Sequence, residues 1–316
     1  MSSNIAFMLR SIALLSVVAL VSCRNVSNTR PGDSATNQPD VVEELPLPEV
    51  PQILQEPNLR ADYVVEHFWD AMDFCDTIKS HDSDFMEQNF ANYINIFPIA
   101  DVASQKMAVE ILMHKAEADT TAYLLLMSIA EKYLYEPNSP MLSEELYILF
   151  LEEFVKSPIL GEAGKLRPRY QLETANKNRP GMKAADFKYM SRAGVTSTLY
   201  NTNSAGNILL IFYDPDCDHC KEILTNLRQN PLLSEMIANK QITVLAVHSG
   251  DQKELWHKTA DELPAEWNVG YESGEMQENG SYVLRAAPTL YLLDRNKNVI
   301  LKDVLPEQFL EYLSEM

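Results

Sequence analysis

Residues 207–224 combine a short apolar run, a sharp turn and a Cys-x-x-Cys motif, and this stretch restricts the possible fold most strongly. The run Ile208–Tyr213 is rich in branched and aromatic residues and is followed by Pro215, which predicts a buried strand. After Cys217 and Cys220, apolar residues recur with the spacing of a helix. Cysteines at a helix start meet unpaired backbone N–H groups and the positive end of the helix dipole, which favour a thiolate. The pattern therefore predicts redox chemistry at Cys217.

The N-terminal residues have the organisation of a bacterial lipoprotein precursor. Arg10 precedes the apolar run Ser11–Leu20, and Leu20-Val21-Ser22-Cys23 resembles a lipobox. This run is too short to span a bilayer, which argues against a transmembrane helix. We expect residues 1–22 to be a signal peptide that is cleaved before Cys23, whose sulfur then carries lipid.

No run of acidic residues of the kind associated with surface export in Bacteroidetes lipoproteins follows Cys23. The expected location is therefore the cell envelope, on a lipid anchor in the outer membrane that faces the periplasm.

Export also limits the roles of the four cysteines. If Cys23 carries lipid, an odd number remains, which argues against a structural disulfide framework. The simplest partition pairs Cys217 with Cys220 and leaves Cys75 alone. In an oxidising compartment, such a pair is either a redox catalyst or a stable bridge. Cys75 lies in a helical pattern of apolar residues, so we expect it to be a small, buried hydrophobic side chain.

The net charge of −19 excludes one class of partner. The sequence has no cluster of Lys and Arg that could follow a phosphate backbone, so nucleic acid is not an expected partner. A solvated acidic surface accounts for the charge.

Residues 23–57 have the composition of an unfolded tether, with six prolines and few large apolar residues. Residues 58–176 show helical periodicity throughout and are predicted to form an all-α domain. We expect helices at 59–78, 84–97, 99–118, 120–135, 141–156 and 163–174. None of the histidines or paired acids in this domain has the spacing of an active site, so it is interpreted as a binding or spacing module with an unknown partner.

From residue 177 to residue 316, predicted strands and helices alternate, which indicates an α/β domain with a central mixed sheet flanked by helices. A leading hairpin at 186–200 precedes the strand that carries the cysteines. A closing hairpin at 289–304 precedes a terminal helix. The chain is thus predicted to contain two folded domains, one all-α and one α/β.

Residues 178–316 resemble the thioredoxin-like superfamily, specifically its membrane-anchored thiol-disulfide oxidoreductases. The resemblance rests on Pro180–Phe187, on Phe212–Cys220 and on Ala287–Asp294. The whole arrangement also resembles Bacteroidetes lipoproteins in which a helical domain of unknown function precedes a thioredoxin-like domain.

The resemblance implies roles for particular residues. Cys217 would attack a substrate disulfide as a thiolate, and Cys220 would resolve the mixed disulfide. Pro288 would be a cis-proline beside the cysteine pair, and with its neighbours Ala287 and Thr289 it would hold the substrate backbone. No cofactor is implied. His219 would stabilise the Cys217 thiolate.

The sequence departs from the family pattern in ways that bear on this chemistry. Asp214, Asp216 and Asp218 oppose the effect of His219, so the direction of the redox reaction is left open. Ile211 occupies the position at which thioredoxin carries a buried acid. Proton transfer from the second cysteine would then need Lys221, Glu222 or water, and the sequence does not choose between them.

Two alternatives remain open at this point. Cys217, His219 and Cys220 could bind Cu(I) or, with His248 or His257, zinc. Alternatively, the chain could be a lipid-tethered interaction protein in which the helical domain is the working part and the thioredoxin-like domain is not catalytic. The favoured prediction is a lipid-anchored, extracytoplasmic thiol-disulfide oxidoreductase. It would exchange disulfides with protein substrates, and an unidentified redox partner would supply or accept its electrons.

Overall fold

The structure is a computed structural model that describes residues 43–316. The predicted signal peptide at 1–22, the lipidation site Cys23 and the tether as far as residue 42 lie outside the described residues. The described chain divides into two compact units, of which the first ends at Ile129 and the second is Ala130–Met316. No helix among residues 43–316 has both the length and the apolar character needed to cross a membrane.

The first unit is helical, as predicted. Its helices are α1 (Pro57–His67), α2 (Thr77–Ser80), α3 (Ser83–Ile94), α4 (Val102–Ala116) and α5, which begins at Thr120 and ends at Leu134 in the second unit. Proline at the first helical position starts α1, and the side chain of Asp82 accepts backbone N–H groups at the start of α3. Fully buried aromatic residues such as Phe90, Tyr93 and Phe97 form the core.

The residues that lead into this unit are held against α3. The buried side chain of Asn89 accepts the N–H of Leu45 (2.7 Å) and donates to the carbonyl of Glu43 (3.4 Å). Glu43 also forms an ion pair with Lys79 (2.7 Å). The chain near Leu45 is therefore ordered, which differs from the unfolded tether predicted as far as residue 57.

Cys75 is exposed, so the prediction that it is buried was wrong. The helix predicted at 59–78 ends at His67, and Cys75 lies in a turn before α2. The carboxylate of Asp73 accepts the N–H of Cys75 (2.9 Å), a local side-chain bond that competes with helix formation. The neighbouring aromatic residues Trp69 and Phe74 are buried, so the apolar pattern reports burial correctly but not helix.

The second unit contains seven further α-helices, α6 to α12, and a β-sheet. The helices are α6 (Glu144–Lys156), α7 (Leu166–Ala175), α8 (Asp218–Gln229), α9 (Pro231–Ala238), α10 (Lys253–Thr259), α11 (Glu275–Glu278) and α12 (Pro306–Ser314). The strands are β1 (Lys188–Ser191), β2 (Thr196–Thr198), β3 (Asn207–Tyr213), β4 (Ile242–Ser249), β5 (Asn268–Glu272), β6 (Thr289–Leu293) and β7 (Val299–Lys302).

Within the described residues these strands form a seven-stranded mixed sheet in the order β2-β1-β5-β4-β3-β6-β7. Strand β3 lies between β4, to which it is parallel, and β6, to which it is antiparallel. Residues 208–213 of β3 are all buried, because both faces of the sheet are covered. The predicted mixed sheet flanked by helices is confirmed. Helix α9 was not predicted, although Asn230 caps it and Pro231 occupies its first position.

Side chains alternate along β3 between two cores. Leu209, Ile211 and Tyr213 face one core, which also contains Cys220. Its other members include apolar residues of α8, α9, α10 and α12, among them Leu224, Leu233, Trp256 and Phe309. The intervening residues Ile208, Leu210 and Phe212 face the second core with Phe187, Tyr189 and Tyr282. Trp256 and Trp267 are both buried, so packing accounts for the two tryptophans of this unit.

A half-buried polar network is a further feature of the second unit. The guanidinium of Arg285 pairs with Asp303, donates to the carbonyl of Tyr135 and lies 3.9 Å from the centre of the Tyr135 ring. Lys302 pairs with Glu144 (2.5 Å). These bonds join the chain around Tyr135 and Glu144 to the loop before β6 and the end of β7. The compact unit therefore begins before the sequence-predicted domain boundary at 176/177.

Candidate active site

A tight turn between β3 and α8 carries the cysteine pair. The side chain of Asp214 accepts the N–H of Asp216 (2.9 Å), and its carbonyl accepts the N–H of Cys217 (3.2 Å). Cys217 then takes the N-cap position of α8, which begins at Asp218. The turn thus ends with a sulfur at the helix N-terminus, where free N–H groups stabilise negative charge.

The two thiols have different partners. Cys217 Sγ accepts the N–H of Cys220 (3.4 Å) and donates to the carbonyl of Ala287 (3.9 Å). Cys220 Sγ accepts the N–H of Asp214 (3.5 Å). Both cysteines are free thiols in the structure. Each sulfur therefore accepts one hydrogen bond from a backbone N–H group.

Exposure separates the two thiols further. Cys217 is half-buried, whereas Cys220 is fully buried beneath it. Burial raises the pKa of Cys220 to about 12, although the N–H of Asp214 acts in the opposite direction. At neutral pH Cys220 is therefore a protonated, shielded thiol, while Cys217 is accessible to a second molecule.

The loop before β6 lies against Cys217. The Ala287–Pro288 peptide bond is cis, as the resemblance implied, and both residues are half-buried. Thr289 is buried, and its hydroxyl donates to the carbonyl of Ala286 (2.7 Å). Its side chain therefore shapes the loop rather than facing a client. The roles of Ala287, Pro288 and Thr289 in substrate binding stay predictions.

The charged residues of the motif point into solvent. His219 is exposed, and within the described residues no hydrogen bond joins its ring to Cys217, so its effect on that thiol stays a prediction. Asp218 is almost fully exposed and pairs with Lys221 (3.1 Å), which raises the pKa of that ammonium group. Solvent screens these charges more effectively than it screens the backbone bonds to the sulfurs.

Ile211 is buried in β3 and offers no proton acceptor to Cys220. Lys221 and Glu222, the residues that the sequence suggested instead, are both exposed. Cys220 is held by the backbone of the turn, and neither of these side chains is buried with it.

The sequence indicated His248 only as a possible metal ligand and gave no sign of its contact with the strand that carries the cysteines. The imidazole is buried, and its Nδ1 lies 3.2 Å from the carbonyl oxygen of Tyr213. The only signal in the sequence is its position at the end of the strand after the cysteine motif. Its pairing with Tyr213 depends on the parallel register of β3 and β4.

The structure gives the metal alternative no support. Among residues 43–316, no group of three or more His, Cys, Asp or Glu side chains is arranged to hold a metal ion. His248 is buried with Nδ1 directed at a backbone oxygen, and His257 is exposed.

Comparison with known proteins places this site in a family. A crystal structure of a thioredoxin-like protein from Bacteroides caccae is 36% identical to this chain, with a TM-score of 0.81. The match covers 87% of this chain and 99% of that protein. The chain belongs to the family of thioredoxin-like proteins. Residues 22–178 of this thioredoxin-like protein also match a domain of unknown function, DUF5106.

Two other matched structures each cover less than half of this chain. A conserved protein of unknown function from Bacteroides fragilis is 39% identical, with a TM-score of 0.41, and covers 43% of this chain and 98% of its own. The thioredoxin domain of a thiol-disulfide oxidoreductase from Bacteroides vulgatus is 18% identical to this chain, with a TM-score of 0.38. That match covers 43% of this chain and 96% of the other chain. No curated protein matches the thioredoxin-like sequence.

Proposed function

We propose that the chain is a thiol-disulfide oxidoreductase that exchanges disulfides with protein clients through Cys217 and Cys220. The observation that carries this proposal is the asymmetry of the two thiols. One is half-buried at a helix N-terminus, and the other is fully buried directly behind it with a pKa of about 12. Reactive cysteines are partly exposed, whereas cysteines with a purely structural role are buried and inert, so an accessible sulfur next to a protected one is typical of a redox pair.

The reaction follows from this geometry. The Cys217 thiolate attacks one sulfur of a client disulfide, the client S–S bond breaks, and the first client thiolate leaves. Cys220 then loses its proton and attacks Cys217 Sγ, which releases the second client thiolate and leaves a Cys217–Cys220 disulfide. The client gains two electrons and the protein loses two. A separate redox partner must restore the dithiol, or the same steps run in reverse when the protein acts as an oxidant.

The site favours protein clients because the attacking sulfur is only half-buried and is bordered by the half-buried loop at Ala287 and Pro288. An extended client segment could lie along this loop and bring its disulfide to Cys217. We also propose that Cys23 carries a lipid that anchors the protein in the cell envelope, in the outer membrane and facing the periplasm. The pattern at 20–23 supports this location.

Insulin reduction tests the proposed function. Reduced protein should accelerate precipitation of the insulin B chain in the presence of dithiothreitol, and Cys217→Ser should remove the acceleration. Cys75→Ser is the matched control, because Cys75 is exposed in a turn of the first unit, and it should retain full activity. Wild-type protein that is no faster than Cys217→Ser would refute the proposal.

A further inference from the structure

A single peptide group connects the imidazole of His248 with the thiol of Cys220. The carbonyl oxygen of Tyr213 lies 3.2 Å from His248 Nδ1. The N–H of Asp214, in the same peptide group, donates to Cys220 Sγ over 3.5 Å. His248 is 3% exposed and Cys220 is 0% exposed, so both ends of this connection are shielded from water.

The hydrogen-bond partner of His248 Nδ1 determines which of the two atoms is the donor. A carbonyl oxygen can only accept, so Nδ1 must carry the hydrogen and donate it to Tyr213. A donor at the carbonyl oxygen withdraws electron density from the peptide group and strengthens its N–H as a donor, because linked hydrogen bonds polarise one another. The N–H of Asp214 in turn favours the thiolate of Cys220 over the thiol.

The register of the sheet places His248 beside this peptide group. The parallel register pairs Tyr213 of β3 with His248 of β4 at the sheet edge where the cysteine turn begins. Nε2 of His248 is buried and has no hydrogen-bond partner within residues 43–316. The bond to Tyr213 is thus the one hydrogen bond that the ring makes in the described part of the chain. Tyr271 of β5 packs on the imidazole, with 6.0 Å between ring centres.

We propose that His248 is a positioning residue for the resolving thiol, which it assists through the Tyr213–Asp214 peptide group. This inference rests on the proposed exchange reaction and concerns its second step. In that step the Cys220 sulfur attacks Cys217 in the mixed disulfide, the bond to the client sulfur breaks, and the client thiolate leaves with the electron pair. The first step is independent of His248, because the Cys217 sulfur makes its hydrogen bonds with the backbone groups of Ala287 and Cys220 instead.

Dithiobis(nitrobenzoate) separates the two steps, because each step releases one coloured thionitrobenzoate. The measurement uses the full chain with Cys23→Ser and Cys75→Ser, so that the active-site pair supplies the only thiols. The first phase reports attack by Cys217 and the second reports attack by Cys220. His248→Phe keeps a ring in the core but removes the donor. His248→Asn is the conservative variant, because its amide nitrogen stands at the Nδ1 position and can donate to the same carbonyl.

The expected effect lies in the second phase. If loss of the donor raises the pKa of Cys220 by about one unit, the thiolate fraction falls about tenfold, and greater intrinsic nucleophilicity recovers about threefold. His248→Phe should therefore slow the second phase about threefold and leave the first unchanged, while His248→Asn stays close to wild type. A merely structural defect would alter both phases or the thermal midpoint of unfolding.

Two results would overturn the inference. One is a second phase in folded His248→Phe that keeps the wild-type rate. The other does not depend on the variant's folding: nitrogen-15 NMR of the wild-type imidazole should show hydrogen on Nδ1, and hydrogen on Nε2 alone contradicts the proposal. Failure of the proposed function looks different, because wild-type protein would then fail to accelerate insulin reduction, whatever the rates of the two phases.

Discussion

Alkylation of the reduced protein should modify Cys217 and spare Cys220. Burial raises the pKa of Cys220 from an ordinary value of 9.0 to about 12. At about pH 8, a thiol with the ordinary value is about one-tenth thiolate, whereas Cys220 is about one ten-thousandth thiolate. Since only the thiolate reacts, the lower thiolate fraction slows labelling of Cys220 about 1,000-fold, greater intrinsic nucleophilicity recovers about 30-fold, and complete burial slows the reaction further.

A short pulse of iodoacetamide followed by peptide mass spectrometry measures this difference. Cys75 supplies an exposed thiol in the same chain as the reference for access. Labelling of Cys220 should rise about tenfold for each pH unit as the pH approaches about 12, because the thiolate fraction rises in that proportion. Labelling of Cys220 at about the rate of Cys75 near neutral pH would refute the assigned asymmetry of the two thiols.

Two further predictions concern the half-buried polar network and the anchor. Arg285→Met leaves the half-buried carboxylate of Asp303 without this partner and should lower the free energy of unfolding by about 3–5 kcal/mol. Arg169→Met, which breaks an exposed pair with Glu162, should leave the midpoint of the same urea titration almost unchanged, because solvent screens that pair. Equal losses in the two variants would contradict the structural role given to Arg285. For the anchor, Cys23→Ser should abolish labelling by radioactive fatty acid in a bacterial host and release the protein from the membrane fraction. Unchanged labelling would rule out lipid attachment at Cys23.

Local sequence patterns predicted the centre of the site well. The strand predicted at 208–213 is β3, and a helix follows the cysteines, because a buried strand and a capped helix leave strong short-range signals. The same method failed around Cys75. There the apolar residues with helical spacing are buried, but the chain forms turns rather than a helix. The carboxylate of Asp73 accepts the N–H of Cys75, and this local hydrogen bond competes with helix formation.

The long-range contacts of the second unit could not be predicted from the sequence, because they join segments that are distant in the chain. His248 meets Tyr213 only through the register of two parallel strands, 35 residues apart in the chain. Arg285 meets Tyr135 across 150 residues. The acids around the motif were visible in the sequence. Only the folded turn shows that Asp216 and Asp218 are exposed, that the half-buried Asp214 is bonded within the turn, and that backbone N–H groups donate to the sulfurs.

The most direct test of the central claim is to trap the mixed disulfide. Cys220→Ala removes the resolving thiol, so attack by Cys217 on a client disulfide should stop at the covalent intermediate. Incubation with a disulfide-bonded peptide, followed by mass spectrometry under non-reducing conditions, should show one peptide attached to Cys217, and dithiothreitol should release it. The same variant with Cys217→Ala added should form no such adduct. A Cys220→Ala protein that remains folded yet forms no adduct at Cys217 would contradict the account.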